Sequence, residues 1–126
     1  MIELQVKDLL GASKILQEIS NKSFKSCVSY LLSRIKREIA REAELFNQAR
    51  KDLIIKYADK ENGEIKIDGY GNANIQKEYR EIFNREIDDL LNTRISLNVS
   101  PISLSDIENE SFTIEQMDLL NLFIEE

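Results

Sequence analysis

The chain has 126 residues, with 17 Lys and Arg against 23 Asp and Glu, a net charge of −6, one Cys and no His. That length supports one core and a single domain over 1–126, with no room for separate cofactor and substrate domains. The absence of His removes the commonest general base and zinc ligand, a lone Cys27 forms no internal disulfide, and the acidic balance opposes binding to duplex nucleic acid, which draws its affinity from clustered Lys and Arg.

Ile2, Leu4 and Val6 alternate with Glu3 and Gln5, which predicts a half-buried strand over 2–6. This opening stretch has neither a basic nor a long apolar region, and no later apolar run is long enough to span a bilayer. The expectation is a cytoplasmic protein without a membrane partner. Leu9, Leu10, Ala12, Ile15, Leu16 and Ile19 return at helical spacing and predict a helix over about 7–20. Asn21-Lys22-Ser23 breaks it, with Ser23 placed to cap the next helix.

That next helix is predicted over 23–57, because Phe24, Val28, Leu31, Ile35, Ile39, Ala43, Phe46, Ala49 or Arg50, Leu53 and Tyr57 recur without Gly or Pro at a mean spacing of about 3.7 residues, near that of a straight helix. Such a helix reaches about 50 Å, against a gyration radius of about 13 Å for a compact domain of roughly this size. It must protrude or be covered by a partner, and Phe24, Val28, Leu31, Ile35, Ile39 and Phe46 are the predicted oligomer interface. Cys27 lies beside these apolar positions and is expected to be a buried hydrophobe. Arg34, Lys36, Arg37 and Arg41, interleaved with Glu38, Glu42 and Glu44, read as a solvated helix face.

Asp59 to Glu64 ends the helix in a turn rich in Asp, Asn and Gly, and its Gly63 falls one position short of where a calcium loop needs its glycine. A short strand is predicted over 64–68, a second turn at Gly69-Tyr70-Gly71, and a helix over 73–92 with Ile75, Tyr79, Ile82 or Phe83, Ile87, Leu90 and Leu91 inward. Two long helices joined by a short connection form an antiparallel hairpin. Ile95, Leu97 and Val99 alternate over a strand at about 95–100, the expected partner of 2–6, and Pro101 ends it. Ser105 to Glu108 suggests a brief helical turn. Thr113 and Gln116 form a capping box that opens a last helix over 113–124, with Ile114, Met117, Leu120 and Ile124 inward. The fold class is α+β and predominantly α-helical: a long antiparallel helical hairpin with a small antiparallel sheet near the chain ends.

Few residues carry chemistry. Glu38 with Glu42, and Glu86 with Asp89, are spaced to share helix faces and would have to converge to hold Mg²⁺. An anion such as a nucleotide phosphate would be held at the predicted helix start by Lys66, Tyr70, Asn72, Lys77 and Arg80, the candidate ligand-binding residues. No catalytic residue and no cofactor or metal site is assigned, and an enzyme is not expected.

Lys7 to Ala12, Phe46 to Tyr57, Phe83 to Glu86 with Leu90 to Asn92, Ile95 to Ile102, and Leu119 to Glu126 occur in an order that resembles a family of small proteins of unknown function encoded by tailed phages and prophages of Gram-positive bacteria. The likeness spans nearly the whole chain, and the family supplies no catalytic residues. Asp59-Lys60 stands where the resembling proteins often have a longer acidic hairpin. The resemblance implies a non-enzymatic accessory protein in the host cytoplasm that acts by binding. The length of the helix and the lack of catalytic machinery make a homo-oligomer the expectation, and such a scaffold fits an antagonist of anti-phage defence that occludes a host defence protein or sequesters a nucleotide signal. The alternative is a virion or assembly component packing through its long helix.

Overall fold

A computed structural model describes residues 1–125. Strand β1 (Ile2–Gln5) leads through a single 3-10 turn (Val6–Asp8) into helix α1 (Leu9–Ile19). Val6 leaves the predicted strand because the Asp8 carboxylate accepts the Gln5 N–H at 3.0 Å and starts the turn, while the Val6 N–H donates to the Thr93 carbonyl. β1 pairs antiparallel with β4 (Arg94–Leu97) in the register Ile2 to Leu97 and Leu4 to Ile95, which puts Ile2, Leu4 and Leu97 on one buried face.

Helix α2 (Ser26–Tyr57) is continuous for 32 residues, about 48 Å at a rise of ~1.5 Å per residue. It starts later than Ser23 because Phe24 lies before the helix and stacks on Phe112, with centroids 6.3 Å apart and planes at 11°. Ser23 therefore caps nothing, and α2 has no side-chain cap. Val28, Ile35 and Ile39 are sealed in the core with Ile15, Leu16 and Ile19 of α1, Leu97, Ile102, Leu120 and Phe123. Beyond Ile39, no residue of α2 is fully buried until Tyr57.

Over this outer half, α2 packs on helix α3 (Arg80–Leu91), which itself buries no residue completely. The two helices form an arm one layer thick. Tyr57 anchors its far end between Tyr79 and Phe83, with centroids 5.5 and 6.4 Å away. The arm's tip is built from β2 (Lys60–Glu61) and β3 (Glu64–Ile65), joined by Asn62 and Gly63 with φ of 53° and 81°, the paired left-handed conformation of a two-residue hairpin turn.

The predicted helix start at Ala73 is corrected here. Residues 73–76 run extended, bridging Ala73 to Ile67 and Ile75 to Ala58, with the Asn74 N–H donating to the Lys66 carbonyl and the Gln76 N–H to that of Tyr57. The helical run begins only with a 3-10 turn at Lys77.

After β4, the strand β5 (Ile102–Ser103) pairs with β6 (Ile124–Glu125). That pair is parallel and was not expected from the sequence, whereas the antiparallel sheet expected near the chain ends is the pair β1 and β4. Between them, α4 (Ile114–Leu120) opens on the predicted capping box: the Gln116 N–H donates to Thr113 Oγ1 and the Thr113 N–H to Gln116 Oε1, each at 3.1 Å. Ile114, expected inward, is 83% exposed, since the first turn of this short helix overhangs the body. Gly11 of α1 faces Leu119 of α4, whose methyl carbons would lie 3.3 Å from an added Cβ.

Candidate functional site

The predicted oligomer interface is overturned by burial. Val28, Ile35 and Ile39 are at most 1% exposed, and Phe24 and Leu31 pack against the same core, so this stripe is spent on the chain's own fold. Phe46 is half-buried on the outer half of α2. The apolar side chains that α2 does present are Tyr30, Leu45 and Ile55, 65%, 60% and 51% exposed. Cys27, expected in the core, is exposed as well. Sequence reasoning missed these residues because it followed the dominant stripe. A helical projection puts Tyr30 and Ile55 opposite that stripe, on the helix's second, weaker apolar line.

The predicted anion site lies along the arm's tip. Lys66 pairs with Asp59 at 3.8 Å. The side chain of Asp68 turns back on its own loop, and its Oδ1 accepts the N–H of Tyr70 at 2.8 Å and of Asn72 at 3.0 Å. The Asn72 N–H, one of the donors expected to face an anion at the predicted helix start, is thereby occupied. Tyr70 projects outward, 93% exposed, next to Ile67, which is 64% exposed. Lys77 lines a shallow concavity with Asp59, Gln76 and Glu78, and Arg80 opens α3. The helix terminus therefore sits several residues beyond Asn72, to which the sequence had assigned it.

Two grooves flank α2. One, of about 220 Å³, lies where α1 ends beside the start of α2, with Leu16, Ile19, Phe24 and Leu32 as its floor and Lys22 and Lys36 among its lining. The other, of about 450 Å³, lies between α2 and α3 over Ala49, Leu53 and Leu90, and is edged by Asp52, Lys56, Glu86 and Asp89. Glu86 turns one carboxylate oxygen inward with no hydrogen-bond partner. Glu86 and Asp89 thus edge the same groove as Asp52, and neither Glu38 nor Glu42 lines it. Glu38 instead lies 2.9 Å from Arg41, an ion pair without hydrogen-bond alignment. Among the described residues, no three acidic or Cys side chains converge as a metal site, and no helix is long and apolar enough to cross a membrane.

Set against family models, curated proteins and solved structures, the chain matches none of them. Its function has to be read from the surface just described.

Proposed function

We propose that the chain is a non-enzymatic accessory protein of the phage and prophage kind, an oligomeric antagonist of host defence that acts by occluding a host protein. The observation that carries this reading is the arm. A helical hairpin extends beyond the core and ends in a tip that holds Ile67 and Tyr70 in solvent, 64% and 93% exposed. Apolar side chains held at the end of a projecting arm stabilise the chain's own fold little, and clustered apolar surface of this kind favours a partner. Occlusion of a protein is preferred to sequestration of a nucleotide because Asp68 already takes the tip's free N–H groups and Asp59 is paired with Lys66. Lack of His, and an exposed Cys27 in a chain that has no imidazole to activate it, support a role without catalysis.

The test is plating efficiency on bacterial strains that each carry one anti-phage defence and express the chain. The wild-type chain is expected to restore plating at least tenfold on one of them, and the double variant Ile67→Ser, Tyr70→Ser to lose that effect at an unchanged melting temperature. Failure on every strain, with the chain recovered in purified virions, overturns the proposal in favour of a structural virion role.

A further inference from the structure

The groove where α1 ends beside the start of α2 has a floor and a rim of different chemistry, and we infer that it takes a single-chain anionic amphiphile, a fatty carboxylate of medium length. Its floor is the outer edge of the core, where Leu16 and Ile19 are buried and Phe24 and Leu32 half-buried. Its rim carries Lys22, Lys36 and the exposed Ser29 and Ser33, with no acid, in a chain whose net charge is −6. The volume of about 220 Å³ lies below the roughly 300–1,000 Å³ of pockets that hold drug-sized ligands, so one short chain fills it. An alkyl chain laid on this floor leaves its carboxylate at the wet rim, within reach of the two ammonium groups.

The lysines are positioned but not neutralised. Lys22 is half-buried, with its ammonium 5.4 Å from the centre of the Phe112 ring, which in turn stacks on Phe24. Among the described residues neither Lys22 nor Lys36 forms an ion pair. The acids of this neighbourhood are turned elsewhere: Glu18 accepts from Gln116 Nε2 at 3.3 Å, and Asp106 faces Lys25 at 4.0 Å. The groove between α2 and α3 has the opposite balance, three carboxylates against Lys56, and repels the same head group. A free amphiphile is favoured over a bilayer surface, because a net charge of −6 opposes approach to anionic lipid. Ser29 lies about 42 Å along α2 from Tyr57 at the base of the tip, so this site is separate from the surface on which the proposed function rests.

The experiment titrates the full chain with hexanoate, octanoate, decanoate and longer homologues below their micellar concentrations, by calorimetry and by amide spectra that follow Ser29 and Ser33. Decanoate is expected to bind one to one and to shift those two amides. Affinity should rise about fourfold per methylene over the short homologues and level off once the chain outgrows the groove. Decyltrimethylammonium is expected to bind at least tenfold more weakly. Lys22→Glu with Lys36→Glu should reverse that preference, and Ser29→Phe, which fills the groove from an exposed position, should abolish binding at an unchanged melting temperature. Equal binding of both head groups, a charge reversal without effect, or full binding by Ser29→Phe overturns the site as drawn. Absence of decanoate binding overturns the inference outright. If vesicles of anionic phospholipid then retain the chain, a membrane surface takes its place, and if an acidic peptide bearing one leucine shifts the same amides, a protein segment does.

Discussion

Ile35→Ala, set beside Leu45→Ala, tests which side of α2 folds the chain. Ile35 is completely buried, between Val28 and Ile39 in the contact of α2 with α1 and the sheet. Truncation to Ala removes three carbons from a site packed on all sides, so both the lost transfer energy and an incompletely closed cavity count against the variant. Such changes cost about 2–5 kcal/mol, and full burial places this one at about 3–4 kcal/mol. Leu45→Ala, on a side chain already 60% exposed, is expected to cost under about 1 kcal/mol of folding stability. Urea unfolding followed by helical circular dichroism, at two protein concentrations a hundredfold apart, measures both. The gap between Ile35→Ala and wild type should be the same at each concentration, with an unchanged m-value, because the lost contacts lie within one chain. A gap below about 1 kcal/mol, or one that appears only on dilution, would refute the assignment of this stripe to the core.

Three further outcomes follow from local geometry. Thr113→Ala removes the acceptor of the Gln116 N–H and breaks the reciprocal cap of α4, at a cost of about 1 kcal/mol, with faster amide exchange confined to 114–120. Gly11→Leu drives a side chain into Leu119, 3.3 Å from the added Cβ, and should destabilise by about 1–3 kcal/mol and release α4, read as a lower denaturation midpoint. Glu86→Leu replaces a carboxylate oxygen that is buried without a partner in the α2–α3 groove, and is expected to raise the denaturation midpoint by about 1 kcal/mol equivalent.

The correspondence between sequence and structure follows the range of the interactions involved. The long helix, the pairing of the first strand with Arg94–Leu97 and the Thr113–Gln116 cap were all legible, because periodicity and capping are properties of a few neighbouring residues. The start of α3 was misplaced. Ile75 and Tyr79 have helical spacing, but Ala73 and Ile75 also alternate with Asn74 and Gln76. Bridges to Ile67 and Ala58, remote in sequence, settle the competition in favour of extended backbone.

The amino-acid sequence by itself determined that α2 has an apolar stripe along one side, that the chain is acidic and that it lacks imidazole chemistry. Only the tertiary structure decided what covers that stripe. Phe24 leaves the helix to stack on Phe112, and α1, the sheet and Phe123 close over Val28, Ile35 and Ile39, so the residues that looked most available are the least. Burial depends on which distant segments come to lie against a surface. A sequence can show that a face is apolar, but whether its own chain or another one removes that face from water depends on the packing of the whole molecule.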